Sequence, residues 1–134
     1  MGAHIIDGKA CATSIEASLK PRVEQLTTDG CNPHLAVIIV GNDPASHVYV
    51  RAKERACDRL GIKSTKVLLP EDIDFQQVVD QVILMNKDPT IHGILVQSPL
   101  PRGMDEVVIT DLISPLKDVD GFHASNLGKL VQGD

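Results

Sequence analysis

Aromatic side chains are nearly absent. The 134 residues include only Tyr49, Phe75 and Phe122, and no tryptophan, which leaves base stacking almost without a platform. A basic excess is also lacking. Thirteen Lys and Arg stand against eighteen Asp and Glu, for a net charge of −5, and this argues against nucleic acid or an anionic membrane surface as a partner. No apolar run approaches the roughly 20 residues that a membrane span needs. The opening MGAHIIDGKA has no apolar signal core, and Ile6 stands where a myristoylation signal wants Ser or Thr. The cysteines, Cys11, Cys31 and Cys57, are odd in number and widely spaced, so neither a disulfide framework nor a zinc site is expected. A reducing, cytoplasmic setting is the simplest expectation.

Several signatures of chemistry are missing as well. The histidines (His4, His34, His47, His92 and His123) show no H-x-x-x-H or H-E-x-x-H spacing, so no metal is expected. No serine occupies a G-x-S-x-G elbow. Neither G-x-G-x-x-G nor G-x-x-x-x-G-K occurs, so this chain carries no recognisable dinucleotide or P-loop phosphate site of its own.

What is present is an aliphatic core in a chain of single-domain length, 43% hydrophobic and 23% charged. Helix and strand patterns alternate. Asp7 and Gly8 open a helix with Ile15, Leu19, Val23 and Leu26 at helical spacing, and Pro21 should kink or split it. The segment Thr27 to Pro33 reads as a loop. Leu35 to Val40 (LAVIIV) is a continuous aliphatic run, as suits a parallel strand buried on both faces. Asp43 is an N-cap and Pro44 a first helical residue, in a helix that runs to Leu60 and ends on Gly61. Thr65 to Leu69 and Ile94 to Gln97 read as further strands, Asp74 to Asn86 and Met104 to Ile113 as helices, and Ser114 to Asp134 as an irregular tail. The expected fold is α/β, a three-layer αβα arrangement whose mainly parallel sheet is built from βαβ units. Ligands of such sheets sit at the carboxyl ends of the strands.

Tyr49 and Lys53 share one helix face, a turn apart. A lysine partly withdrawn from water loses its preference for the ammonium, and a neighbouring phenol can share or orient its proton. Tyrosine and lysine at this spacing are equally common on an ordinary amphipathic helix. Val48, Ala52, Ala56 and Leu60 read as the core side, with Tyr49 and Lys53 at its margin. Gln97, at the end of the third strand, could hydrogen-bond an amine without adding charge, or simply satisfy loop backbone. Asp120 could accept two parallel N–H bonds from a planar group, or be a turn aspartate before Gly121.

Four segments taken in order carry a resemblance: IIDGK (Ile5 to Lys9), VGNDPASHVYVRAK (Val40 to Lys53), HGILVQSPLP (His92 to Pro101) and PLKDVDGFHASNLGKL (Pro115 to Leu130). Together they resemble the methylenetetrahydrofolate dehydrogenase/methenyltetrahydrofolate cyclohydrolase family. The resemblance implies a bifunctional enzyme of one-carbon metabolism, an oxidoreductase and hydrolase. Such an enzyme oxidises 5,10-methylenetetrahydrofolate with NADP or NAD and hydrolyses the methenyl product to 10-formyltetrahydrofolate, which serves purine, methionine and histidine biosynthesis. By position it implies Lys53 as the catalytic lysine, Tyr49 as its partner and Gln97 as the glutamine contacting the lysine. It further implies Asp120 as the group gripping the pterin, Val96 and Ser98 as substrate contacts beside Gln97, and Asn126, Leu127 and Gly128 as a segment near the dinucleotide.

Two departures from the family pattern matter. Ser98 stands where the family usually has leucine, and the chain stops at Asp134, where the family continues into a Rossmann domain that binds the cofactor. Residues 1–134 are therefore expected to be the tetrahydrofolate-binding catalytic domain of a two-domain, homodimeric enzyme. Alone, the chain should lack dehydrogenase activity and hydrolyse weakly. A non-catalytic α/β ligand-binding module is the main alternative. An acidic pocket at the strand ends would mark a receiver-like version, and strand one ends Ile39-Val40-Gly41 without an aspartate. A short-chain dehydrogenase, suggested by Tyr49-x-x-x-Lys53, would need its glycine-rich turn upstream of the tyrosine, where none occurs.

Overall fold

The computed structural model describes residues 5–133; Met1 to His4 and Asp134 lie outside it, and with them the two ends of the expected 1–134 domain. Three parallel strands, β1 (His34–Val40), β2 (Lys63–Leu69) and β3 (Gly93–Val96), form one sheet in the order β2-β1-β3. β1 pairs with β2 from His34↔Lys63 to Val40↔Leu69, and with β3 from Leu35↔Gly93 to Ile38↔Val96. Five helices complete the described chain: α1 (Gly8–Thr28), α2 (Pro44–Leu60), α3 (Phe75–Lys87), α4 (Glu106–Leu112) and α5 (Ala124–Gln132).

The aliphatic run of β1 explains the three layers. Strand side chains alternate between faces. Ala36, Ile38 and Val40 join Ile94 and Val96 of β3, Val78, Val82 and Met85 of α3 and Ile109 of α4 in one core. Val37 and Ile39 join Leu95 and Val50 of α2 in the other. From Ala36 to Val40 this central strand is covered on both faces and every side chain is apolar. Each fully buried Val or Ile contributes about 1.5–3 kcal/mol, which makes this strand the largest apolar investment in the chain.

The local signals at the helix ends operate as expected. The Asp7 carboxylate accepts from the Lys9 and Ala10 N–H groups, each at 3.0 Å. Gly61 closes α2 in the left-handed conformation at φ 77°, where a side chain would be strained.

Three expectations are corrected. Pro21 does not split α1, which continues to Thr28. Ala17, the residue whose carbonyl loses its N–H partner, is exposed along with Pro21, so water can satisfy that oxygen. The apolar spacing of α1 also overstates its burial: Val23 alone is buried, while Ile15 and Leu26 are exposed. Finally, the tail is not irregular throughout. His123 accepts from the Ser125 N–H at 3.1 Å and starts α5. A histidine cap and a mid-helix Gly128 are both weak helix signals, and together they hide the helix within the tail.

Candidate active site

Lys53 lies within the buried seam of α2, not at its margin. The buried residues are Ser46, Val50, Cys57 and Leu60, and Lys53 falls between Val50 and Cys57 in the same alternating spacing of four and three. The expected core side is rotated away: Val48 is 55% exposed, Ala52 is exposed and Ala56 half-buried. The rotation follows from the helix start. Asp43 accepts from the Ser46 N–H at 2.7 Å, and the buried Ser46 hydroxyl donates to the Ser98 carbonyl at 3.2 Å. The Ser46 N–H, donating to the Asp43 carboxylate, also holds that carboxyl below its ordinary range.

Gln97 extends the β3–β1 ladder, its N–H donating to the Ile38 carbonyl at 2.9 Å. Its side chain has one orientation. Nε2 donates to the Ser98 carbonyl at 2.8 Å, which turns Oε1 toward Lys53, whose Nζ donates to it at 3.0 Å. The turn that follows contains a cis Ser98–Pro99 peptide. Glu106 clamps this turn, accepting from the Ser98 hydroxyl at 2.9 Å and the Leu100 N–H at 2.8 Å.

A cavity of about 480 Å³ opens beside Lys53, a volume that suits a small-molecule ligand. Its walls are apolar, from Leu35, Ala56, Cys57, Leu95 and Val119, with Lys53 and Asp120 as the charged members. It runs along the α2 side of the sheet toward His34 and His92, at the amino ends of β1 and β3. Only its Lys53–Gln97 end adjoins the carboxyl ends, where ligands of such sheets were expected. Burial also pushes the Cys57 thiol up, with Asp58 and Glu54 adding to the effect. His34 is a structural residue at this cavity. Its Nδ1 meets the Thr90 carbonyl at 3.0 Å and its Nε2 the Thr65 hydroxyl at 2.8 Å. A carbonyl only accepts, so Nδ1 carries a hydrogen there.

Asp118 and Asp120 are two residues apart and differ sharply. Partial burial works to raise the Asp118 carboxyl. Hydrogen bonds from Asn126 and from the His123, Gly121 and Phe122 backbone outweigh it and leave the pKa below the ordinary range. The Asn126 amide and His123 N–H lie at 2.9 Å and the Gly121 N–H at 3.0 Å. Asp118 therefore ties the loop together. The Asp120 carboxyl is pushed above its ordinary range. Loss of solvation dominates, the Lys53 charge pulls the other way, and the Asp118 charge adds to the rise. As a whole residue Asp120 is exposed.

Of the residues singled out in the sequence, Lys53 and Gln97 are in contact, and Asp120 shares the cavity with Lys53. Tyr49 is 63% exposed and is not part of the cavity wall. Val96 packs into the opposite core; Leu95 is the strand residue that faces the cavity. Strand alternation alone could have made that distinction. Asn126 directs its amide hydrogens to the Pro115 carbonyl, at 3.0 Å, and to Asp118. Among the described residues, no group of three potential metal ligands gathers, and no helix is long and apolar enough to cross a membrane.

A doubly wound α/β domain with an amine, an amide and a carboxylate gathered at the edge of an apolar cavity defines a small-molecule site suited to proton transfer. Residues 6–120 match the family described as tetrahydrofolate dehydrogenase/cyclohydrolase, catalytic domain. The bifunctional protein FolD of Dechloromonas aromatica is 51% identical over the whole chain, which covers 47% of that protein. FolD of Bordetella bronchiseptica is 49% identical over 99% of the chain and 47% of its own length. Among solved structures, the FolD methylenetetrahydrofolate dehydrogenase/cyclohydrolase of Campylobacter jejuni superposes with a TM-score of 0.92 at 42% identity, covering 95% of this chain and 45% of its own. The Trypanosoma brucei methylenetetrahydrofolate dehydrogenase-cyclohydrolase, solved with NADP cofactor and inhibitor, gives 0.90 at 35% identity, covering 97% and 45%. The chain belongs to the tetrahydrofolate dehydrogenase/cyclohydrolase family, and it spans about half the length of the curated relatives it matches.

Proposed function

We propose that this chain is the folate-binding catalytic part of a longer, homodimeric, cytoplasmic enzyme. That enzyme oxidises 5,10-methylenetetrahydrofolate to the 5,10-methenyl cation and hydrolyses the cation to 10-formyltetrahydrofolate, in support of purine, methionine and histidine biosynthesis. The observation that carries the reading is the Lys53–Gln97 contact at 3.0 Å on a cavity that also holds Asp120.

The cavity takes the pteridine between apolar walls. The Asp120 carboxylate accepts from its adjacent ring N–H and amino group, a planar donor pair that matches two carboxylate oxygens. Desolvation makes that carboxylate a stronger hydrogen-bond acceptor once a cationic or donor-rich ligand arrives. The methenyl carbon is electrophilic. A water oxygen adds to it while the Lys53 amine takes one water proton. The remaining hydroxyl proton then passes to N5 as the C–N5 bond breaks and the formyl group forms. Lys53 finally returns its proton to solvent, so one proton is released per turnover. Gln97 keeps Nζ at one place through both proton movements, and Tyr49, one helical turn before Lys53, is its partner in this reading.

The oxidation uses NADP, or NAD, as hydride acceptor. The sequence carries neither glycine-rich phosphate motif, and the Asn126 amide hydrogens are already engaged. In this reading the dinucleotide is held mainly by residues outside this chain, with Asn126, Leu127 and Gly128 beside it. In the full-length enzyme, Lys53→Met should lower hydrolysis by 10²-fold or more, on the order of what positioned acid–base groups contribute. Asp120→Ala should raise KM for the folate. Unchanged hydrolysis in Lys53→Met with a native circular dichroism spectrum would overturn the reading.

A further inference from the structure

Lys117 donates from Nζ to three carbonyls at the C-terminus of α3: Met85 at 3.1 Å, Asn86 at 2.9 Å and Asp88 at 2.7 Å. All the donors of an ammonium are thereby satisfied, at the helix end where a cation is favoured. Its own carbonyl accepts from the Ile94 N–H at 2.8 Å, and the next residue, Asp118, forms a parallel bridge with Ile94 on the outer edge of β3. Asn86 fastens the same segment, donating to the Leu112 carbonyl and accepting from the Ser114 N–H. The chain entering Asp118–Asp120 is thus pinned to α3 and to β3 together.

The second constraint is steric. A Cβ on Gly93 would come within 2.6 Å of Val119 Cγ1. Valine is stiff at χ1 and cannot swing this methyl aside freely. A hydrogen at position 93 is what lets Val119, and Asp120 behind it, sit against the strand at the cavity wall.

We propose that Lys117 and Gly93 are positioning residues for Asp120. Lys117 sets where the Asp118–Asp120 segment runs, and Gly93 sets how closely it approaches, so that the carboxylate stands on the cavity shared with Lys53. This rests on the folate reading of the site and adds to it the parts that hold the ligand-gripping carboxylate. Neither residue touches the cavity's ligand through a side-chain polar group: Lys117 acts from the C-terminus of α3, and Gly93 has no side chain.

The test is a double-mutant cycle in the full-length enzyme, with steady-state KM and kcat for the folate substrate and a melting curve for each variant. Lys117→Met and Gly93→Ala should each raise KM roughly tenfold and lower kcat much less, because uniform binding is lost before the chemistry. In an Asp120→Asn background, either change should add less than about twofold, since residues acting through one group are not additive. Lys117→Arg, which keeps the charge, should recover part of the loss. Effects that multiply in the Asp120→Asn background, or an unchanged KM in Gly93→Ala, would overturn the proposal. If Lys117→Met does not fold, the Gly93→Ala cycle decides alone. An Asp120→Asn enzyme with unaltered KM would instead refute the folate reading on which the proposal rests.

Discussion

Lys53 of α2 and Gln97 at the end of β3, 44 positions apart in the chain, meet at 3.0 Å, and the second half of the Gln97 amide is fixed on the Ser98 carbonyl at 2.8 Å. A neutral acceptor locates the amine without adding charge. Gln97→Glu is nearly isosteric and puts a carboxylate in that place. An opposite charge within about 4–6 Å shifts a titration by 1–3 units toward the charged form. The variant should therefore keep its fold and hydrolyse poorly at neutral pH, with its pH profile displaced by about one unit or more to the alkaline side. A profile that stays in place while activity falls would mean that Gln97 acts on geometry alone.

Asp118 should govern acid stability. Its carboxyl titrates lower in the folded chain than in the unfolded one, the hydrogen bonds from Asn126 and three backbone N–H groups outweighing partial burial. Its contribution is complete above the unfolded value near ~3.9 and is lost as the pH falls through the folded value. Asp118→Ala should cost about 2 kcal/mol at pH 7, the scale of hydrogen bonds to a charged acceptor. The deficit should shrink toward acid pH. Denaturant melts at neutral and acidic pH check both statements, and a deficit independent of pH would contradict the second.

Ser46 links the helix start to the turn that carries Gln97. It is 2% exposed and donates to the same Ser98 carbonyl that anchors the Gln97 amide. Ser46→Ala removes a donor without leaving a buried group wholly unpaired, because that carbonyl keeps Gln97 Nε2. The expected cost is about 1 kcal/mol. The accompanying loss of turnover should be larger than this stability change predicts, as the turn is freed to move. Equal, small losses in both would confine Ser46 to a structural role.

The sheet and its helices were legible because each signal was local and strong. LAVIIV admits only a doubly covered strand, and Asp43-Pro44 and Gly61 bracket α2 at the residues observed. Lys53, Gln97 and Asp120 are far apart in the chain and were singled out together by resemblance to the family. The fold brings them to one place, whereas Tyr49 and Val96, singled out in the same way, lie off the cavity. Two things were not legible. The rotation of α2 depends on a buried serine hydroxyl reaching a carbonyl 52 positions away, which hydrophobic periodicity cannot register. The scaffold of Asp120 depends on Lys117 meeting the end of α3 and on a missing side chain at Gly93, and charge patterns and turn statistics describe neither.

Asp120 should trade stability against binding. Its carboxyl titrates higher in the ligand-free folded chain than in the unfolded one, desolvation exceeding the Lys53 attraction. The folded state thus binds more protons between the two values, and stability falls as the pH rises through that window. Asp120→Asn removes the ionisation and nearly preserves shape. At pH 7 the ligand-free variant should therefore melt at a higher temperature than the parent, and the difference should disappear below about pH 3.9, where both side chains are neutral. The same substitution replaces two acceptors with one acceptor and a donor facing the pterin's own donors, so folate affinity should drop by roughly a hundredfold, the scale of about 3 kcal/mol for a charge-assisted pair. Calorimetric titration with a folate analogue and melting curves at both pH values test the two halves separately. A variant that binds normally, or one that melts lower than the parent at neutral pH, would show that the carboxylate is held there for the fold and not for a ligand.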